Sequence, residues 1–391
     1  MVLSFLACCW GGRLTTQDNH FVHFMRFHQA LAPSTQYFPT VSQTRQYVKH
    51  HAGRRQILVI VAGSSVLQGT GQTEDSLWST RLQEQLGDEY KVINLAMQAA
   101  RANEVGFIVA ESLVNTYKKM IVVVDVGHAY LDGTPDGLMY KYFYWDAWYK
   151  GLIQPYAARN ARLQQMLEIP VDPKVRASSA AVGIPETTEA RREGWLDSRF
   201  YFNDLWSTLA YTSFFTVWTP FSTSGDHFYQ PRRDFPDRDQ GAPPMEQRYQ
   251  ASRFNESMEG IRKSIIQGCT KTAEGDWVLN EDAPRWEDMR QAAINCFPKM
   301  MREHTLFVIK DYSPYYTSRL SVGEQRGVEI VQNKTIGIVE EAGFPTVNVT
   351  GVFGAEDFMD GIHLAPSGGE KFATALSARI RGLAKKLGYT P

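Results

Sequence analysis

Two short stretches near opposite ends of the chain carry side chains whose chemistry depends on their meeting. The first is Gly63-Ser64-Ser65-Val66-Leu67-Gln68-Gly69, directly after the apolar run Ile57-Leu58-Val59-Ile60-Val61. A serine at the turn after a buried strand stands at the ligand edge of an α/β sheet. Small neighbours there leave its hydroxyl clear and let a backbone N–H face a substrate oxygen. The second is Asp360-Gly361-Ile362-His363-Leu364, followed by Pro366, Gly368 and Gly369. An aspartate three residues before a histidine can fold back onto the imidazole, fix its tautomer and stabilise the imidazolium formed when it takes a proton. Serine, histidine and aspartate in those roles perform acyl transfer.

Other chemistries fit these stretches poorly. A phosphate-binding P-loop needs a Lys-Ser/Thr pair that the first stretch lacks. Gly69-Thr70-Gly71 lacks the third glycine of a dinucleotide fingerprint. Leu67 stands where a G-x-S-x-G nucleophile elbow needs its second glycine. Asp360 and His363 without a third ligand do not make a metal site. Taken singly, each stretch is also explained by an ordinary strand-to-helix turn or a helix-capping polar loop.

The elements needed to position these residues are legible around them. After Ile57–Val61 come Leu77-Trp78, Leu82 and Leu86 at helical spacing, closed by Gly87. A strand at Val92–Leu95, a helix over about Asn103–Tyr117 and a buried strand at Met120–Val126 follow. The rhythm returns with strands at Leu306–Ile309 and Thr346–Val349. A helix over about Val328–Ala342 and a last helix over about Gly369–Leu387, with Phe372, Leu376, Ile380 and Leu383 on one face, accompany them. Buried strands alternating with amphipathic helices predict a three-layer α/β/α fold with a parallel sheet, whose strand C-terminal ends form the ligand edge.

Between these two halves the pattern breaks. Residues 131–300 hold seven of the nine tryptophans and a turn-rich stretch from Phe221 to Pro244, which predicts a large, mostly helical insertion beside or over the sheet edge. The run Tyr140–Tyr149 invites sugar stacking, although most aromatics in such a segment build its own small core. The expected organisation is an N-terminal arm over 1–54, irregular from 11, a core domain over 55–130 and 301–391, and the insertion over 131–300.

Composition narrows the function classes. The 391 residues are 43% hydrophobic and 21% charged, with a formal net charge of -1. That leaves ample core but no strong field to hold nucleic acid, so no nucleic-acid partner is expected. Val2 to Trp10 is apolar, too short to span a bilayer, and lacks the basic start of a signal peptide. It reads either as an arm packed on the body or as the tail of a membrane anchor. The anchor would put the protein in the cell envelope or periplasm, the arm in the cytoplasm. A lipid-acceptor role for Cys8 is the weaker option, because Phe5 suits that signal poorly. Cys269 and Cys296 are able to pair if the protein is exported and otherwise remain thiols; no metal-binding cysteine spacing occurs.

Taken together, the two stretches resemble blocks of the SGNH (GDSL) hydrolases. Gly63-x-Ser65 with Gly69 four residues after the serine is similar to block I, and Asp360-x-x-His363 before a terminal helix is similar to block V. The resemblance covers about 57–130 and 304–387. It implies Ser65 as nucleophile, His363 as general base and Asp360 as its orienter. It implies cleavage or transfer of an ester-linked acyl group through an acyl-serine, without metal or cofactor, on a small-molecule, glycan or lipid ester, with acetyl on an envelope component as one case. The stretch Asn94–Ala99 looks like block II, which puts the N–H of Ala99 beside that of Ser65 in the oxyanion hole. Three positions depart from the pattern. Ser64 replaces the family's aspartate, Ala99 its block II glycine, and Ala129 stands where block III supplies an asparagine donor. Losing one such donor costs ~10²–10³ in rate. His128, or a side chain of the insertion, is expected to fill that gap if the enzyme is efficient; if it stays open, the enzyme is slow, and a non-catalytic binding or assembly subunit on the same scaffold is the alternative.

Overall fold

The computed structural model describes residues 41–72, 76–97, 100–125, 147, 152–153 and 251–389. Five parallel strands form the centre: β1 (Ile57–Val61), β2 (Tyr90–Asn94), β3 (Met120–Asp125), β6 (Thr305–Ile309) and β7 (Thr346–Asn348), in the spatial order β2-β1-β3-β6-β7. Leaving aside the hairpin of β4 (Cys269–Lys271) and β5 (Trp277–Leu279), this is the flavodoxin-like order 2-1-3-4-5. Its connections reverse direction between β1 and β3, which opens a crevice at their C-terminal ends.

The continuous apolar strands follow from burial on both faces. All five residues of β1 and all of β6 are buried, each large apolar side chain contributing roughly 1.5–3 kcal/mol. On one face Ile57, Val59, Val61, Ile121 and Val123 pack against α3 (Trp78–Leu86) and α10 (Pro366–Lys386), with Trp78 edge-on to Phe372 at 4.8 Å between ring centres. On the other face Leu58, Ile60, Met120, Val122 and Val124 meet α1 (Val41–His51), α4 (Gly106–Leu113), α5 (Ala251–Gly268), α6 (Pro284–Asn295) and α9 (Val322–Glu341). The expected three layers and parallel sheet are therefore present. The short helices α2 (Ser65–Gln68), α7 (Lys299–Arg302) and α8 (Pro314–Thr317) complete the described set.

Some sequence expectations need correction. Residues 41–51 were expected to be irregular and form α1. Its inward face mixes Val41 and Val48 with buried Thr44 and Arg45, so no apolar period stands out. Helix α9 starts six residues before the expected Val328. Ser321 accepts from the N–H of Glu324, and the Glu324 carboxylate accepts from the N–H of Ser321. That capping box fixes the start of the helix ahead of Gly323 and Gly327. The described part of the aromatic segment, 251–300, holds a β-hairpin beside its helices. Cys269 and Cys296 are free thiols. No described helix is long and apolar enough to cross a membrane, and the stretch Val2–Trp10 lies outside the described residues.

Candidate active site

The Ser65 turn is built from β1. Ser64 is the N-cap of α2, its hydroxyl accepting from the N–H of Val66, and Gly69 closes the single turn in the left-handed region at φ 84°. Two side chains, the Trp78 indole and the Asn94 amide, donate to the carbonyl of Leu67 and anchor this turn to α3 and β2, at 2.8 and 2.9 Å.

The His363 loop is a tight excursion between the bridged residues Phe358 and Leu364. The N–H of Met359 donates to the carbonyl of His363 at 2.8 Å. One oxygen of Asp360, Oδ1, accepts from the N–H groups of Ile362 and His363 at 2.9 and 2.8 Å. The other oxygen, Oδ2, lies 2.7 Å from His363 Nδ1. Across a gap of almost three hundred residues, His363 Nε2 lies 2.8 Å from Ser65 Oγ. Since the Asp360 carboxylate can only accept, Nδ1 carries the proton, Nε2 is the acceptor, and the Ser65 hydroxyl donates to it.

The electrostatics follow from these partners. Burial raises the pKa of Asp360, but the hydrogen bond and charge of His363 and the two backbone N–H groups outweigh it and hold the carboxyl well below the usual range. The group stays an anion wherever the imidazole needs one.

Three further side chains hold the two arms together, and sequence reasoning had assigned them no role. Asp125, the buried last residue of β3, accepts from the backbone N–H of Ser64 at 3.1 Å and from the Ser64 hydroxyl. Burial pushes its pKa up against the pull of those bonds. Gln72, also buried, donates from its amide to the carbonyl of Leu364 at 3.1 Å and accepts from the N–H of Trp78 at 2.8 Å, bracing the serine segment against the histidine segment. Lys310, just past β6, donates to the carbonyl of Ile362 at 2.7 Å. The aspartate had a visible signal, since a carboxylate ends an otherwise apolar buried strand. Gln72 and Lys310 had none.

Asp125 also explains Gly63. The glycine has φ +106°, and a Cβ there would lie 2.1 Å from Asp125 Oδ1. Only a bare backbone lets the carboxylate rise to Ser64. Gly63→Ala is expected to cost about 1–3 kcal/mol of stability from the backbone strain alone, read by urea unfolding. Gly337→Ala, in open space inside α9, is the control, expected to be neutral or stabilising because alanine is the better helix former.

Of the residues expected around the oxyanion, Ser65 alone is among the described ones; Ala99, His128 and Ala129 fall outside them. The described end of the aromatic segment does reach this region. A Cβ on Gly361 would meet Tyr316 of α8 at 3.2 Å and Ser257 of α5 at 3.6 Å, so α5 passes beside the loop that carries Asp360. Among the described residues no cluster of three or more histidines, cysteines and carboxylates could hold a metal.

No family model matches the chain, and no curated protein does. Among solved structures it is similar to the native aryl esterase of M. smegmatis, at 12% identity and a TM-score of 0.31, over 83% of this chain and 99% of that one. A second solved structure gives the same identity and TM-score over 84% and 98%. Likenesses of that size carry no functional argument, which rests instead on the geometry above.

Proposed function

We propose that this protein is a serine hydrolase or acyltransferase of the SGNH type, acting on an ester-linked acyl group. The observation that supports it is the unbroken chain of short contacts Asp360 Oδ2–His363 Nδ1 and His363 Nε2–Ser65 Oγ, at 2.7 and 2.8 Å, between segments from opposite ends of the sequence. They meet at the crevice edge of the sheet, where α/β folds bind ligands.

In this reading His363 Nε2 takes the Ser65 proton as Oγ attacks the ester carbonyl. The negative charge that develops on the carbonyl oxygen is met by the N–H groups of Ser65 and Ala99, with His128 as a third donor. Collapse breaks the acyl–oxygen bond, and the imidazolium, stabilised by Asp360, protonates the departing alcohol. Water gives hydrolysis of the acyl-serine; a second alcohol gives transfer. Small-molecule, glycan and lipid esters all present the required carbonyl.

A fluorophosphonate probe reads the decisive step, because only an activated serine is phosphonylated. Wild-type protein is expected to label at Ser65, and the modified peptide to be lost in Ser65→Ala. Full-length, folded protein that stays unlabelled would sink the catalytic reading and favour the binding-subunit alternative, to which the missing asparagine at Ala129 already points.

A further inference from the structure

The register of the Asp360–His363 loop on Ser65 depends on what holds it from below. Local bonds shape the loop internally: Asp360 Oδ1 on the two N–H groups, Met359 on the His363 carbonyl. They do not fix its position relative to the sheet. Three contacts do. The N–H of Ser313 donates to the carbonyl of Gly361 at 2.8 Å, Gln72 to that of Leu364 at 3.1 Å, and Lys310 Nζ to that of Ile362 at 2.7 Å. Only the last brings a full charge.

Lys310 is fastened at its own end. It directly follows the buried strand β6, its amine also donates to the carbonyl of Asp311 at 2.9 Å, and it stands 4.7 Å from the centre of the buried Phe358 ring. From the sheet it faces Asp125, from its own segment Asp311 and from the loop Asp360. Of those carboxylates, Asp125 clamps the Ser64 backbone, Asp311 is occupied by the N–H of Gly351 and the amide of Gln332, and Asp360 orients the imidazole. The lysine thus faces all three, between the serine arm and the histidine arm.

We propose that Lys310 is a positioning residue for this site: its ammonium ties the Ile362 carbonyl to the end of β6 and thereby holds His363 in hydrogen-bonding register with Ser65. The inference rests on the hydrolase reading above and deepens it. A charge-assisted bond to a carbonyl is about twice as strong as a neutral one, so the charge matters as well as the reach.

Burial pulls the Lys310 amine down to about 8, against the opposing pull of Asp360, Asp311 and Asp125. The amine is therefore charged below that pH and neutral above it, far earlier than an ordinary lysine. Arginine keeps its charge throughout this range.

The test is steady-state hydrolysis of p-nitrophenyl acetate from pH 6 to 9.5, corrected for spontaneous hydrolysis, on wild type, Lys310→Met, Lys310→Arg and Ser65→Ala. At pH 7, Lys310→Met is expected to lose roughly 10- to 100-fold in kcat, the scale of a small misplacement of a reacting group, with KM within about twofold because the lysine touches no substrate. Wild-type kcat should decline as pH rises through about 8, and Lys310→Arg should keep most of its activity without that decline. Wild-type kcat in Lys310→Met, or the same decline in Lys310→Arg, would overturn the proposal while an inactive Ser65→Ala kept the hydrolase reading standing. A wild type no faster than Ser65→Ala overturns both. Should the methionine variant fail to fold, the wild-type profile decides, and a flat one between pH 7 and 9 removes the lysine from the site.

Discussion

Ser65→Ala is expected to reduce hydrolysis of p-nitrophenyl acetate to the uncatalysed background, a loss of at least ~10³-fold in kcat/KM. Alanine removes the one atom that bonds to the acyl carbon and leaves the surroundings intact. The Ser65 side chain is small and buried, and its Oγ hydrogen bond is to His363. The turn around it is held by other groups: Asp125 on Ser64, Trp78 and Asn94 on the Leu67 carbonyl. Far-UV circular dichroism and the thermal midpoint should therefore match wild type within error, so that a lost rate is a lost nucleophile and not a lost fold. Equal rates for the two proteins would mean that the observed hydrolysis happens elsewhere.

Asp360→Asn carries the second large effect, and its sign follows from the hydrogen bonds already made. Oδ1 accepts from two backbone N–H groups, so in the variant that position must remain an oxygen. The amide NH2 then falls at the Oδ2 position, 2.7 Å from His363 Nδ1. Facing a donor, Nδ1 gives up its proton and becomes an acceptor, and Nε2 takes the hydrogen. The imidazole now presents a donor to Ser65 where a base is needed. The expected loss is ~10²–10⁴ in kcat with little change in KM, as for the equivalent change in a serine protease triad. An Asp360→Ala variant, which leaves the ring free to choose its tautomer, is expected to retain more activity than Asp360→Asn. A reversal of that order would show that Asp360 serves the loop's shape and not the proton.

Much of the fold was legible along the chain because parallel strands buried on both faces must be apolar throughout. Ile57–Val61 begins and ends in the structure where its run of five apolar residues does. The final helix was legible because its inward face, Phe372, Leu376 and Ile380, repeats at four-residue intervals. Where the inward face carries polar groups, as in α1 with Thr44 and Arg45, periodicity carries no signal and tertiary contact alone decides. Helix α9 begins earlier than its apolar period suggested, at the Ser321–Glu324 capping box, a signal that was present in the residues.

The site divides the same way. Residue type and spacing made Ser65, Asp360 and His363 candidates, each stretch also having an ordinary structural explanation, and the resemblance of the two stretches together to the SGNH blocks is what assigned them roles. Nothing local could bring His363 to Ser65. That 2.8 Å contact exists because β1 sits inside the sheet between β2 and β3, because β7 delivers the chain to the same strand ends, and because α10, packed beside α3, anchors the loop that precedes it. The supporting side chains were likewise decided in three dimensions. Asp125, Gln72 and Lys310 are an aspartate, a glutamine and a lysine with no motif around them. They matter because the sheet register and the close approach at Gly63 bring a carboxylate to Ser64, an amide to Leu364 and an ammonium to Ile362. Local residue chemistry names the reacting groups; only long-range packing sets the distances and charges at which they react.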